Sequence, residues 1–224
     1  MTQKTALIAG ATGLVGQELV TQISNGNLYQ KVIVLSRREM TIEDDRFQVV
    51  VVDFDKLDDY TELFDVNHIY CCLGTTMKQA GSKELFKRID VDYPVKMAEI
   101  SKEKENFEAY FIVTAVGSNP DSPLFYNQVK GEVEKALKEM EINSLNIFQP
   151  SLLLGKRKDF RLWEEVAKGF ASFLSFFVVG TRRVHIWSIK GEEVARCMLK
   201  VAAYTVPGTH VYKPKEMISL AHRP

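Results

Sequence analysis

The sequence predicts an α/β fold: a doubly wound parallel sheet with helices on both faces and a small C-terminal segment covering the substrate end. Three observations predict it. Short apolar runs alternate with stretches of helical spacing through about the first 155 residues. The first of these runs breaks into a glycine turn that opens a helix. The 224 residues, 46% apolar and 26% charged, suffice for one sizeable core. Short strands separated by helices imply parallel pairing, because a crossover must carry the chain back to its starting edge. Ligands of such sheets bind at the carboxyl ends of the strands.

Taken in order, Thr5–Ala9 is the first strand, ended by Gly10, and Leu14–Ser24 is the first helix, with Val15, Leu19 and Ile23 spaced four apart. Val32–Leu35 and Gln48–Val52 are β-branched runs and hence strands. Lys56–Phe64 reads as helix, His68–Leu73 as strand, and Lys83–Lys102 as one long helix. Ala109–Val113 and Leu145–Phe148 are the next strands, on either side of the helix Tyr126–Glu141. The charged run Ser101–Asn106 is a solvated helix end.

After Gly155 the alternation stops. Lys158–Gly180 and Lys190–Tyr204 read as helices, and a short tail holds Pro207, Gly208 and Pro214. The expected organisation is one domain over residues 1–224, with its core in about 1–155 and a substrate-covering segment in about 156–224. Within that segment Gly169–Gly180 is strongly apolar and aromatic. A core or homodimer contact is favoured for it, with an apolar-substrate lid or a protein-partner surface as the alternative.

Twenty-nine basic and 29 acidic residues leave no net charge, which argues against a nucleic-acid partner. No apolar run is long enough to span a bilayer. Cys71, Cys72 and Cys197 fit neither a disulfide framework nor a metal-ligand spacing, and His68, His185, His210 and His222 lack ligand spacing, so no metal is expected. Cys71 and Cys72, with no charged activator beside them, read as packing residues, and Trp163 and Trp187 as core or pocket lining. Unpaired thiols and a first strand starting close to Met1 predict a cytoplasmic location.

The turn Gly10-Ala11-Thr12-Gly13-Leu14-Val15-Gly16 joins strand to helix in the manner that holds a nucleotide pyrophosphate. Gly10 permits a positive φ, Gly13 lets backbone approach the phosphates, and Gly16 lets the helix sit close to the sheet. The helix N-terminus then presents amide groups and partial positive charge to the anion. Where an NAD site has an acid after the second strand, this chain has Ser36-Arg37-Arg38. Two guanidinium groups there suit the 2′-phosphate of NADP(H). Asp53 and Phe54, after the third strand, are expected to flank the adenine, with a helix cap as the plainer role for Asp53.

Tyr126 and Lys130 stand four apart on one helix face, just after the fifth strand. Lys130 is expected to lower the phenol pKa and to hold the nicotinamide ribose, while Tyr126 moves a proton to or from a carbonyl oxygen.

These residues resemble the short-chain dehydrogenase/reductase superfamily, in its atypical branch with GxxGxxG, and within it the Tat-interacting-protein oxidoreductase group. The likeness rests on Gly10–Gly16, Ser36-Arg37-Arg38, the run Val52–Tyr60, Cys71-Cys72-Leu73-Gly74-Thr75-Thr76, the run Tyr126–Glu134 (YNQVKGEVE), and Pro150-Ser151-Leu152-Leu153-Leu154-Gly155. It covers the first two-thirds of the chain in order and is loose after Arg157. The resemblance implies a Rossmann fold binding NADPH. It also puts the backbones of Cys72, Leu73, Gly74 and Thr75, and of Pro150, Ser151 and Leu153, beside the nicotinamide ribose and carboxamide. The superfamily usually carries a serine at the end of the fifth strand that orients the substrate carbonyl. Thr114-Ala115 stands there, so Thr114 is the expected hydroxyl and Ser118 the fallback.

Two activities fit this reading. One is an NADPH-dependent oxidoreductase moving hydride to or from a small carbonyl or alcohol substrate, an apolar one among the candidates, with Tyr126 as general acid/base assisted by Lys130. The other is an NADP(H)-binding regulatory protein that turns over little and controls a protein partner. The intact Tyr126/Lys130 pair favours the enzyme, and the missing serine favours the sensor. An epimerase or dehydratase would use the same residues with the cofactor retained through the cycle.

Overall fold

The computed structural model describes residues 4–154 and 188–223. Its strands are β1 (Lys4–Ala9), β2 (Tyr29–Ser36), β3 (Phe47–Val51), β4 (His68–Cys71), β5 (Ala109–Val113), β6 (Ser144–Phe148), β7 (Leu153–Leu154), β8 (Ile189–Lys190) and β9 (Gly208–Tyr212). Seven of them form one sheet in the order β3-β2-β1-β4-β5-β6-β9, and every pairing is parallel. This is the Rossmann-type doubly wound sheet that the alternating pattern predicts. The order changes direction between β1 and β4, and the crevice for a ligand opens at their carboxyl ends.

Alternate strand residues feed two cores, as a period of two requires. Ala6, Ile8, Val32 and Val34 face Val15, Leu19 and Ile23 of α1 (Leu14–Ser24), together with Val194 and Met198 of α6 (Gly191–Ala203). Leu7, Ala9, Ile33 and Leu35 face the other way, toward Met97 of α4 (Tyr93–Lys102) and Val133 and Leu137 of α5 (Phe125–Glu139). The start of α6 lies so close to α1 that a Cβ at Gly191 would stand 2.9 Å from the Leu14 carbonyl oxygen.

The structure differs from the sequence reading in three places. The tail is not only turn. Gly208–Tyr212 pairs with Ser144–Phe148 as the seventh strand of the sheet, and α7 (Pro214–His222) follows it. The C-terminal segment therefore completes the sheet as well as extending past it. The stretch read as one helix over Lys83–Lys102 is broken into α3 (Lys83–Lys87), a π-helical turn at Arg88–Asp92 and α4, and it is preceded by the four-residue α2 (Met77–Ala80). Phe54–Phe64 is a 3-10 stretch kinked at Lys56 and Tyr60, not a regular helix. The expected helix Lys158–Gly180, the apolar run Gly169–Gly180, His185, Trp163, Trp187 and Gly155 lie outside the described residues.

Candidate functional site

The site is built where β1 and β4 end. Gly10 turns the chain with φ +87°, and a Cβ there would overlap the carbonyl of Cys72, whose N–H donates to Ala9 O at 2.8 Å. Gly13 N–H closes the turn onto Gly10 O at 3.0 Å, and a Cβ at Gly16 would overlap that same oxygen. No side chain caps the N-terminus of α1. Thr12 is exposed, Leu14 is half-buried, and the Val15 side chain belongs to the core.

At the end of β2 the Ser36 hydroxyl donates to Arg38 O at 2.7 Å and tightens the chain there. Arg37 and Arg38 are exposed, and neither guanidinium meets a carboxylate among the described residues. Nearby, Asp53 takes the plainer role expected of it, and Phe54 departs from expectation. Asp53 accepts from Asp55 N–H at 3.0 Å as the cap of the 3-10 stretch. The Phe54 ring is packed in the core against Tyr93, with centroids 5.4 Å apart, so it does not offer its face to an adenine.

The loop after β4 leads to the catalytic candidates. Cys72 and Leu73 are half-buried, and burial pushes the Cys71 thiol up to about 11 and the Cys72 thiol further, which leaves both as neutral packing groups. Thr75 N–H donates to Asp90 Oδ2 at 3.0 Å. Asp90 Oδ1 forms an ion pair with Lys130 Nζ at 2.7 Å, and the two residues are 1% and 5% exposed. A Cβ at Gly74 would stand 3.8 Å from Asp90 Oδ1 and 3.9 Å from Lys130 Nζ, so the loop roofs this pair closely. On the opposite rim Pro150 O accepts from Val116 N–H and Leu152 O from Ile189 N–H, each at 3.0 Å. Ser151 is half-buried, and Leu153 pairs with Ile189 and packs on the core under α1.

Tyr126 opens α5 with its ring edge-on to Phe86 at 6.2 Å between centroids, and it is 39% exposed. Its phenol titrates above its ordinary value. Desolvation by the surrounding protein raises it, Lys130 pulls it down, and Asp90 pushes it up again. Lys130 thus acts in the expected direction, and desolvation together with Asp90 outweighs it. The Lys130 ammonium, for its part, overcomes its burial and is held above its ordinary value by Asp90.

Asp90 was not among the expected site residues. Its spacing from Phe86, Pro94 and Met97 puts it on the buried stripe of a helical run, and an acid there was the available signal. Thr114 is the converse case. Its hydroxyl donates to Glu134 Oε1 at 2.7 Å, about two turns along α5 from Tyr126. Ser118 Oγ donates to Ala115 O at 2.7 Å.

Comparison with known proteins gives the site a family. The chain is 37% identical to Protein HTATIP2 of Rattus norvegicus over 174 residues, 76% of this chain and 71% of that protein. The resemblance to the Tat-interacting-protein group therefore stands. It is 30% identical over 211 residues to "Protein FMP52, mitochondrial" of Debaryomyces hansenii, covering 88% of this chain and 87% of the relative. Among solved structures, MoeE5 in complex with UDP-glucose and NAD matches with a TM-score of 0.70 at 16% identity, over 97% of this chain and 80% of that one. The Bordetella bronchiseptica enzyme WbmF in complex with NAD+ matches with a TM-score of 0.70 at 14% identity, over 98% and 76%. These two likenesses concern the fold.

The expected cytoplasmic location does not stand, because several FMP52 relatives carry the name mitochondrial. Free thiols persist in any reducing compartment, so cysteine usage does not choose among them. Among the described residues no helix is long and apolar enough to cross a membrane. The model of the NAD dependent epimerase/dehydratase family matches residues 6–134, more than half of the sequence, and the chain belongs to that family.

Proposed function

We propose that the protein is an NADPH-dependent oxidoreductase that transfers hydride to or from a small carbonyl or alcohol substrate. The observation that carries this reading is Tyr126 on the same helix face as a buried Lys130, roofed by Gly74, beside the glycine turn at the mouth of the sheet. The residues present fit a dinucleotide. Packing within the chain demands glycine at 10 and 16, but a Cβ at Gly13 would meet only Gly10 O at 3.3 Å and Cys72 O at 3.8 Å. Close approach of a phosphate accounts for that third glycine. The uncapped amides of α1 would hold the pyrophosphate, and Arg37 and Arg38, which meet no carboxylate among the described residues, would take the 2′-phosphate. Lys130 would hold ribose hydroxyls while Tyr126 exchanges a proton with the substrate oxygen. When bound, the nicotinamide supplies or accepts the hydride.

The test avoids choosing a substrate. The protein is incubated with NADPH deuterated at the transferable position and a small-molecule extract, and labelled metabolites are sought by mass spectrometry, with Tyr126→Phe as control. Label that appears with wild type and not with the variant supports the reading. Bound NADPH without label supports the second reading, an NADP(H)-binding regulator of a protein partner. One observation favours that second reading: the Thr114 hydroxyl proton is already given to Glu134, which leaves it no proton to orient a substrate carbonyl.

A further inference from the structure

Among the described residues, Asp90 stands out as the buried acid paired with Lys130. It is 1% exposed, 2.7 Å from Lys130 Nζ, and fixed from the other side by Thr75 N–H at 3.0 Å. A carboxylate buried this completely is stable only while a cation and donors replace its water. The π-helical turn at Arg88–Asp92 provides its geometry, since it breaks the regular helix where Asp90 must reach inward. The pair as a whole has no net charge. Lys130 therefore reaches Tyr126 as one end of a dipole and not as a free cation, and its pull on the phenol proton is correspondingly reduced.

We propose that Asp90 is a positioning residue of this site that compensates Lys130 and keeps Tyr126 a neutral phenol, the form that gives a proton to a carbonyl oxygen. A neutral phenol is the form that acts in the reductive direction. A reduced nicotinamide, when bound, would supply hydride to the carbonyl carbon, leaving the π pair on oxygen. That oxygen takes the Tyr126 proton, and the phenolate is reprotonated from solvent. This direction rests on the reading of Tyr126 as the proton-transfer group given above.

The groups facing the phenol agree with the assignment. Lys130 on its own helix and Asp90 on the neighbouring turn are charged and opposed, and Phe86 of α3 is apolar. Cys71 at the end of β4 lies behind Lys130 with a thiol pushed up by burial to about 11, so it adds no charge near neutral pH. The phenol titrates above its ordinary value in these surroundings, because desolvation by the surrounding protein and Asp90 together outweigh Lys130.

The test reads the phenol itself and needs no substrate. Full-length protein labelled at the ring carbon bearing the tyrosine hydroxyl is titrated by NMR, with the Tyr126 signal assigned by its loss in Tyr126→Phe. In Asp90→Asn the Tyr126 midpoint is expected to fall by about one pH unit or more, giving about tenfold more phenolate at a given pH. Asp90→Glu, which keeps the charge, is expected to return it toward wild type. Lys130→Met added to Asp90→Asn is expected to raise it again. A midpoint that stays put in Asp90→Asn while the rest of the spectrum remains native overturns the proposal. So does a fall that survives removal of Lys130. Should Asp90→Asn fail to fold, Lys130→Met/Asp90→Leu against Lys130→Met alone decides it: the midpoint must drop when the uncompensated acid is removed. A midpoint that moves as expected in a protein that labels no metabolite leaves the Asp90 assignment standing and removes the enzymatic reading instead.

Discussion

The Thr114 hydroxyl donates to Glu134 Oε1 at 2.7 Å, and this bond fastens the end of β5 to the second half of α5. Gln149 Nε2 donates to both Glu134 oxygens at 2.9 and 3.0 Å, so a buried carboxylate is held between two strand ends and a helix. Such a group loses its water on folding and depends on each donor that replaces it. Thr114→Val removes one donor at nearly constant volume and is expected to lower the unfolding free energy by about 1.5–3 kcal/mol in urea denaturation. Thr114→Ser should stay near wild type. NADPH affinity should be unchanged in both, because the hydroxyl proton is committed to Glu134; a large loss of affinity in Thr114→Val would show that Thr114 serves the site as well.

The three glycines of the turn should separate by what each lacks. Alanine at Gly10 or Gly16 would drive a methyl into backbone, at Gly10 with a positive φ as well, and should cost about 1–3 kcal/mol of stability together with dinucleotide binding. Alanine at Gly13 meets only ordinary or slightly tight contacts. It should leave the melting temperature nearly unchanged while NADPH binding collapses, as measured by calorimetry beside a thermal melt. Equal losses of stability at all three positions would make Gly13 a packing glycine too.

Most of the fold was legible because its local and tertiary signals agree. β1, β5 and α1 are apolar runs or stripes whose period matches their place in the sheet. β9 was not legible, since Gly208 and the preceding Pro207 read as turn, and pairing with β6 supplies what the segment's own sequence does not. The break inside Lys83–Lys102 left no mark in the apolar spacing, which a π-helical turn shifts by only one residue. At the site, Tyr126 and Lys130 were readable from their i, i+4 spacing. The partner Asp90 was not, because an ion pair 40 residues apart is a product of the fold. Phe54 failed for a related reason: position after a strand says where the backbone goes, and the core decides where the ring goes.

Cofactor choice rests on Arg37 and Arg38. Both are exposed beside the glycine turn and unpaired with any described carboxylate, so their charge is available to a phosphate. Arg37→Ala should weaken NADPH binding by about 10- to 100-fold, the value of one charge-assisted contact, and leave NADH binding nearly as it was. Titration of intrinsic fluorescence with each dinucleotide measures both constants. Parallel weakening of the two would show that Arg37 serves the fold or the pyrophosphate rather than the 2′-phosphate.

A last prediction concerns the opposite end of the sheet, where His68 is fully buried at the start of β4. Tyr29 Oη lies 2.7 Å from its Nδ1 and 2.6 Å from Tyr70 Oη, while Lys4 Nζ and Thr205 Oγ1 lie 3.3 and 3.2 Å from its Nε2. Because an ammonium only donates, Nε2 must accept and Nδ1 carries the proton toward Tyr29. Burial, with Lys4 adding to it, depresses the imidazole from 6.5 to about 4 against the smaller opposing pull of Glu108. The unfolded chain therefore takes up the proton first as pH falls. Stability is whole above about pH 6.5 and is lost progressively toward pH 4, by up to about 3 kcal/mol. The Glu108 carboxyl is itself held low by Lys4, His68 and Asn67 despite burial, so it adds to the loss only below its ordinary 4.5. Denaturation midpoints from about pH 7 to about pH 4.5 should fall steeply for wild type and more gently for His68→Gln, which keeps a polar partner without the titration. Parallel curves would mean that the imidazole accepts its proton inside the fold, with the Tyr29–His68–Lys4 chain open to water.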